Sequence, residues 1–256
     1  MDADVTFTTA TLLGFLLTLA RVSGVFIFVP IPGIGSRSNA ARVVLAMAIT
    51  VALFPYWPHP EGAVTGGQLT GWLIAEAALG IGMGLAVSFV IEGFNVAAQI
   101  MGLQAGYAYS STIDPNSQAD SSVLVIFAEL AAGLLFFALG LHREVLRIFA
   151  RSLEVAPAGS FTLARNVGAQ LILLGGTMFS TGMRLALPVV AVLLLVDISL
   201  ALLGRVNAQL QLLTIAFPVK MMVGLALCAW LLLLMPVLLR SNANTVFAAV
   251  QSLAVR

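Results

Sequence analysis

The stretch GFNVAAQIMGLQAGYAYSSTIDPNSQADSS, residues 93–122, lies between long apolar segments and decides how the rest of the chain is interpreted. No charge occurs between Glu92 and Asp114. The stretch is nevertheless too polar to face lipid, because it carries amide and hydroxyl side chains that include Asn95, Gln99, Gln104, Ser110, Ser111 and Thr112. Non-helical backbone at membrane depth is tolerated only inside protein or along a watery cavity. The stretch is therefore predicted to be a loop that lines or fills a passage, although its first part could be a broken helix.

The second half of this stretch has two further features. Tyr107 and Tyr109 are two of the three tyrosines in the chain, and each combines an apolar ring with a hydroxyl that can find a partner in a wet lumen. Asp114-Pro115-Asn116 predicts a turn, because proline fixes φ and the Asp and Asn side chains bond to nearby backbone amides. This turn is expected to anchor the far end of the loop.

The composition is that of an integral membrane protein. The 256 residues are 60% hydrophobic and only 9% charged, with a mean hydropathy of +1.05, whereas a soluble domain has roughly a quarter of its residues charged. With 12 basic and 11 acidic residues, the chain has no basic face for nucleic acid. The single cysteine excludes an internal disulfide. The acidic N-terminus lacks the basic region of a cleavable signal, so the first helix is expected to remain.

The apolar segments predict an all-α polytopic membrane protein of about six long, partly kinked helices in hairpins, forming one domain. We place these helices at residues 12–29, 40–54, 69–91, 123–141, 166–203 and 212–239. Pro30 should end the first helix, and Pro218 should break the last one early. The fifth helix is longer than a bilayer is thick, so it should either kink near Pro188 or project beyond the bilayer. On the third helix, Gly80 and Gly84 form a small-xxx-small pair that lets another helix approach closely. Between the fourth and fifth helices, charges alternating with apolar residues predict an amphipathic helix within residues 142–165.

Six charged side chains lie inside the predicted apolar segments: Arg21, Glu76, Glu129, Arg184, Asp197 and Lys220. A charge in lipid costs several kcal/mol, so each should face a partner, a cavity or water. We favour internal ion pairs among the three acids and three bases over a proton or ion pathway. Lys220 follows Pro218, whose ring leaves a carbonyl without its helical donor, so this lysine should contact such a carbonyl or an acid, with Asp197 a candidate.

No catalytic or metal-binding constellation occurs in the sequence. His59 and His142 lie in different loops, and neither has a second histidine or cysteine at metal-ligand spacing. Cys228 has no neighbouring base, and neither a Walker loop nor a GxSxG motif is present. The chain is therefore expected to be neither an enzyme nor a cofactor-binding protein.

The segment GLQAGYAYSSTIDP, residues 102–115, resembles the central signature of the FliR family of flagellar export-gate proteins, called SctT in injectisomes. Similarity extends over nearly the whole chain: Arg21-Val22-Ser23-Gly24 followed by Pro30; Leu187-Pro188, Asp197, Arg205 and Gln209; and Phe217-Pro218-Val219-Lys220 with Gly224-Leu225. Two positions depart from the family's corner pattern, since Ala208 and Gln211 replace a proline and an asparagine.

The resemblance implies a subunit of the type III secretion export gate in the flagellar basal body, in the bacterial inner membrane. It implies one copy in a helical assembly with FliP and FliQ homologues, contacted by an FlhB homologue, that exports unfolded flagellar proteins. Residues 1–165 would correspond to a FliP unit with its amphipathic segment, and residues 166–256 to a FliQ helix pair. In this family the central loop plugs the pore, which implies plug residues Gln104, Gly106, Tyr107, Tyr109, Thr112, Asp114 and Pro115. Residues expected to serve structure and assembly are Arg21, Pro30, Gly80, Gly84, Pro188, Asp197, Arg205, Gln209, Pro218 and Lys220.

Three alternatives to a flagellar gate subunit are open at this point. The chain could be the equivalent injectisome subunit, a small-solute secondary transporter that uses the central stretch as a broken-helix site, or a membrane scaffold without a passage. Transporters commonly have interrupted segments in both halves of the chain, and this sequence has only one such stretch. The resemblance favours the export gate.

Overall fold

The computed structural model of the protein describes residues 9–29, 39–58, 64–107, 123–157, 167–206 and 212–254. These residues form seven α-helices, namely α1 Thr9–Phe28, α2 Asn39–Ala52, α3 Gly66–Ala105, α4 Val123–Ala138, α5 Leu141–Val155, α6 Val167–Val206 and α7 Leu212–Ala254. A short 3-10 helix, Phe54–Tyr56, follows α2, and no strand occurs in the described ranges. The all-α prediction is confirmed, with seven helices rather than about six, because the amphipathic segment is a separate helix.

Four helices, α1, α3, α6 and α7, are long and apolar enough to cross a membrane, and the broken pair α4 and α5 would make a fifth span. α3 and α6 each have 40 residues and α7 has 43. At 1.5 Å per residue, each is roughly 60 Å long, about twice the hydrocarbon thickness of a bilayer. The prediction of a polytopic membrane protein is confirmed.

The prediction that the third helix ends near Ile91 is wrong, because α3 continues through Gly93 to Ala105. The first half of the central stretch is therefore helical and unbroken. Two of its three amide side chains donate to carboxylates, Asn95 to Glu92 and Gln104 to Asp197, whereas Gln99 is exposed. Side chains satisfied in this way allow a polar segment to remain helical next to apolar ones.

The expected break at Pro218 is also wrong. α7 runs through Pro218 and Pro236 to Ala254, and α6 runs through Pro188 without interruption. Each proline removes only one bond of the helical ladder. Neighbouring helices, side chains and water can satisfy the carbonyl that is left, so a long apolar helix survives the loss.

The chain divides into two compact units, each assembled from separate stretches. The first comprises the described parts of residues 1–89, 140–175 and 243–256, and the second those of residues 90–139 and 176–242. In the first unit α5 is amphipathic, as predicted. Its apolar side chains Val145, Ile148, Phe149 and Leu153 are buried, whereas Arg143, Arg147 and Arg151 are exposed.

Three glycines bring α1 and α3 into direct backbone contact in the first unit. A Cβ atom added at Gly80 would collide with the Arg21 carbonyl oxygen, and one at Gly84 with the Val25 carbonyl oxygen. A Cβ at Gly24 of α1 would lie 2.7 Å from the Ala77 carbonyl oxygen. The small-xxx-small pair on α3 thus faces α1, and the approach places Arg21 against α3.

We predict that Gly80→Ala lowers the free energy of unfolding by about 1–3 kcal/mol, because the added methyl group overpacks the contact between α1 and α3. Gly71→Ala is the matched control on the same helix, since a Cβ at Gly71 meets nothing within 4 Å. The control should be neutral or stabilising by up to about 1 kcal/mol, as alanine is the better helix former. Denaturant unfolding in detergent measures both variants, and equal stability of the two would contradict the close approach.

Candidate functional site

The first of two polar clusters is the Arg21 cluster, formed by Arg21, Glu76, Ser152 and Ala156 in the first unit. Arg21 Nε lies 2.5 Å from Glu76 Oε2, and both side chains have an exposed fraction of 0%. Arg21 Nη1 donates to the Ser152 carbonyl oxygen at 3.0 Å and to Ser152 Oγ at 3.3 Å. Arg21 Nη2 donates to the Ala156 carbonyl oxygen at 2.9 Å. One guanidinium group therefore joins α1, α3 and the C-terminal end of α5.

This arrangement uses the geometry of the guanidinium group. Its planar fork of donors can meet a carboxylate on one side and carbonyl oxygens on the other, which a lysine ammonium cannot do with the same directionality. The carbonyl groups of Ser152 and Ala156 lie at the C-terminal end of α5, where the negative end of the helix dipole makes a cation favourable. The Arg21 cluster is thus a structural junction, in which the charged side chains of Arg21 and Glu76 are fully buried.

The second cluster, the loop-base cluster, lies in the second unit where the central stretch leaves α3. It consists of Gln104, Tyr107, Asp197, Lys220 and Met221. α3 ends in a Schellman motif: Gly106 has φ +90°, its amide donates to the Leu103 carbonyl, and the Tyr107 amide donates to the Gly102 carbonyl. A positive φ requires glycine at this point, which explains why Gly106 stands between two larger residues.

Two helices hold the base of the stretch. The Lys220 ammonium of α7 lies 2.8 Å from Asp197 Oδ1 and 2.9 Å from Asp197 Oδ2, so the predicted contact between these two residues is present. Gln104 Nε2 donates to Asp197 Oδ2 at 3.3 Å, and the Tyr107 hydroxyl donates to the Met221 carbonyl at 2.9 Å. The last turn of α3 is therefore bound to α6 through Asp197, and the turn that follows it is bound to α7 through Met221.

Glycines allow this close packing in the second unit too. A Cβ at Gly224 of α7 would lie 2.8 Å from the Ala105 methyl group, and one at Gly182 of α6 would lie 2.9 Å from the Gly93 carbonyl oxygen. Burial raises the pKa of the Tyr107 phenol above its ordinary value. A phenol is protonated at neutral pH even without this shift, so the hydroxyl can donate its proton to the Met221 carbonyl of α7.

The remaining predicted site residues are not brought together. Pro188, Arg205 and Pro218 are exposed on α6 and α7. Six residues lie outside the described ranges: Pro30, Tyr109, Thr112, Asp114, Pro115 and Gln209. Of the six charges in apolar segments, four form the two ion pairs. Glu129 on α4 and Arg184 on α6 are exposed and have no ion pair within the described part of the chain, so the expectation of internal pairing is wrong for them.

Sequence reasoning missed the partners that are backbone atoms. The carbonyl groups of Ser152, Ala156 and Met221 accept bonds from site residues, and a carbonyl group leaves no signature in a sequence. The sequence identifies Glu76 only as an acid in an apolar segment and does not indicate that Arg21 is its partner. Across the described ranges, no group of three His, Cys, Asp or Glu side chains could hold a metal ion.

Comparison with known proteins agrees with the family resemblance found in the sequence. The sequence model of the family described as "Bacterial export proteins, family 1" matches residues 12–246. The flagellar biosynthetic protein FliR of Escherichia coli strain K12 is 30% identical over 214 residues, covering 84% of this chain and 82% of that protein. FliR of Pectobacterium carotovorum subsp. carotovorum is 28% identical over 225 residues, covering 87% and 85%. The surface presentation of antigens protein SpaR of Salmonella typhimurium strain LT2 is 26% identical over 223 residues, covering 87% and 83%.

We predict that Lys220→Met weakens the loop-base cluster, because Asp197 loses its cation while Gln104 remains as a single neutral donor. The pair is partly exposed, with 18% of the lysine and 38% of the aspartate side chain accessible, so the loss should be about 1 kcal/mol or less. The expected result is a lower yield of the assembled protein, measured by size-exclusion chromatography after detergent extraction.

Asp197→Asn combined with Lys220→Met is the matched variant, since it removes both charges together. Recovery of part of the yield in the double variant would assign the defect to the unpaired carboxylate. An unchanged yield for Lys220→Met would show that the lysine only extends its ammonium group toward water.

Proposed function

The chain belongs to the bacterial export proteins, family 1, as a component of flagellar type III protein export in the bacterial inner membrane, and we propose that it is a subunit of the export gate. In this proposal it assembles with homologues of FliP and FliQ into the pore that passes unfolded flagellar proteins, and a homologue of FlhB contacts the assembly. The central stretch closes the pore. Its relatives are named as flagellar biosynthetic and surface presentation proteins rather than as enzymes, which supports a non-catalytic role.

The loop-base cluster is the observation that carries this proposal. A plug must be fixed at its base and be able to move beyond it. Gln104 in the last turn of α3 binds Asp197, and Tyr107, just after the helix end, binds Met221, so the start of the loop is held by α6 and α7. Gly106 turns the backbone immediately after the helix, which sets the direction in which the following residues leave. Residues 108–112, with Tyr109 and Thr112, are the proposed closing element, and Asp114 and Pro115 are the proposed anchor of its far end.

The exposed charges on α4 and α6 support assembly with other subunits. Glu129 is flanked on α4 by the exposed side chains of Ile126, Phe127 and Leu130, a surface suited to lipid except for the carboxylate. Arg184 is exposed on α6, which is one of the longest apolar helices. A charge in such a surface is stable only against a partner of opposite charge or water. We propose that subunit interfaces supply these partners.

The division into a FliP-like part, residues 1–165, and a FliQ-like pair, residues 166–256, belongs to the same proposal. Its support is the helix pattern, since residues 167–254 contain two long apolar helices, α6 and α7, joined over residues 207–211. A pair of long helices with a short connection is an antiparallel hairpin in most helical proteins.

The injectisome is the second candidate assembly, and the similarity to SpaR is the observation that favours it. The FliR relatives described above are somewhat more similar, at 30% and 28% identity against 26%. Flagellar genes beside the coding gene would support the flagellar gate, and injectisome genes there would support the second candidate.

The proposal is tested by a deletion that removes the closing element and keeps its anchors. The chain is co-expressed with its FliP and FliQ counterparts, and residues 108–112 are deleted while Gly106, Tyr107, Asp114 and Pro115 are retained. We predict that the variant purifies in the same complex at the wild-type yield, because the loop-base cluster is intact. Vesicles containing it should leak small ions, measured by a fluorescent ion indicator, whereas wild-type vesicles should remain tight.

Deletion of five residues from another connection, 160–164, is the control and should leave the membrane tight. A tight and fully assembled 108–112 variant would show that this segment is not the plug. Recovery of the lone chain as a stable monomer that transports a small solute would replace the gate by a secondary transporter.

A further inference from the structure

A cleft of about 400 Å³ lies between the last turns of α1 and the first turns of α2 in the first unit. Its lining consists of Ser23, Phe26 and Ile27 from α1 and Arg42, Val43 and Ala46 from α2. None of these residues belongs to the Arg21 cluster or to the loop-base cluster. The cleft is therefore separate from both clusters described above.

Arg42 is the one charged residue of the lining, and its hydrogen-bonding capacity is largely unused. Its Nη1 atom donates to the Ile27 carbonyl at 2.8 Å, while its buried Nε atom has no hydrogen-bond partner in the described part of the chain. No described carboxylate forms an ion pair with Arg42. A guanidinium has five N–H donors, so an arginine that makes one hydrogen bond within the chain keeps donors free for an anion.

The sequence around the cleft supports an anion from outside the chain. Residues 30–38, which connect α1 to α2, contain Arg37 and no acidic residue. Arg42 also lies in the first turn of α2, where the positive end of the helix dipole favours negative charge. Neither this connection nor the first turn of α2 therefore offers a carboxylate to Arg42.

The apolar walls of the cleft favour an amphiphilic anion over a free inorganic anion. Phe26, Ile27 and Val43 are apolar, and Ile27 and Val43 are 52% and 57% exposed. A free inorganic anion would leave this apolar surface in contact with water. An amphiphile with an acyl chain would cover it and gain roughly 25 cal/mol for each Å² of apolar surface removed from water. The opening lies at the end of α1, a helix long enough to span a bilayer, which is where lipid headgroups are found.

We propose that this cleft binds an anionic phospholipid, with the headgroup phosphate on the Arg42 guanidinium and an acyl chain against Phe26, Ile27 and Val43. Arginine suits this ligand because its fork can donate two hydrogen bonds to one phosphate. The Ile27 carbonyl holds the guanidinium in place, so the cation is oriented before the lipid binds.

The test uses membranes that contain the full-length chain co-expressed with its partners, and phosphatidylglycerol with a photoactivatable diazirine on one acyl chain. After illumination, mass spectrometry should locate the label on the peptides that contain residues 23–27 and 43–46. Arg42→Gln should lower this labelling about tenfold, because a charge-assisted contact is lost. Arg42→Lys should have an intermediate effect, since it keeps the charge and loses the fork.

Two further variants test whether labelling depends on the open cleft and on Arg42 in particular. Ser23→Phe fills the cleft without changing Arg42 and should also reduce labelling several-fold, with the chain recovered at wild-type yield. Arg147→Gln removes an exposed arginine of α5 in the same unit and should leave labelling unchanged.

Four outcomes would overturn the proposal. Equal labelling by a phosphatidylcholine probe would show ordinary contact with bulk lipid, and displacement by inorganic phosphate would show a site for a soluble anion. Crosslinking of this surface to a partner protein in place of lipid would assign the cleft to a subunit interface. Wild-type labelling of Arg42→Gln would exclude Arg42 as the headgroup ligand.

Discussion

The buried ion pair between Arg21 and Glu76 is the interaction on which the first unit depends. Neither side chain is accessible to solvent, and each charge would be strongly unfavourable without the other. Because Arg21 also binds the carbonyl oxygens of Ser152 and Ala156, α1, α3 and α5 can pack together only in an arrangement that brings these groups within hydrogen-bonding distance. The glycines at the contact between α1 and α3 make that distance possible.

An ion pair between two helices also lies at the base of the central stretch. There the ion pair of Asp197 and Lys220 is partly accessible, and it shares its carboxylate with Gln104 of α3. A partly accessible pair holds less strongly than a buried one and can be rearranged at lower cost. The loop-base cluster therefore holds the base of the proposed plug through a weaker ion pair, to which Tyr107 adds its bond to Met221.

Much of this fold follows from the sequence, and the exceptions share a cause. Long apolar segments, the amphipathic α5 and the contact between Lys220 and Asp197 were predictable, because they depend on periodicity, charge and local proline chemistry. The continuation of α3 past Gly93 and of α7 past Pro218 was not, because tertiary packing overrides the local effects of glycine and proline. The partners of Arg21 could not be predicted from the sequence either, since two of them are carbonyl groups brought near by helix packing.

The most direct test of this account compares the unfolding free energy of three proteins in detergent: wild type, Glu76→Leu and the double variant Arg21→Met with Glu76→Leu. The single variant leaves a buried cation without its carboxylate and should lose about 3–5 kcal/mol. The double variant removes both charges and should be more stable than the single one, while Glu144→Gln on the exposed face of α5 should change stability by less than about 0.5 kcal/mol. A Glu76→Leu protein as stable as wild type would contradict the central role of the Arg21 cluster.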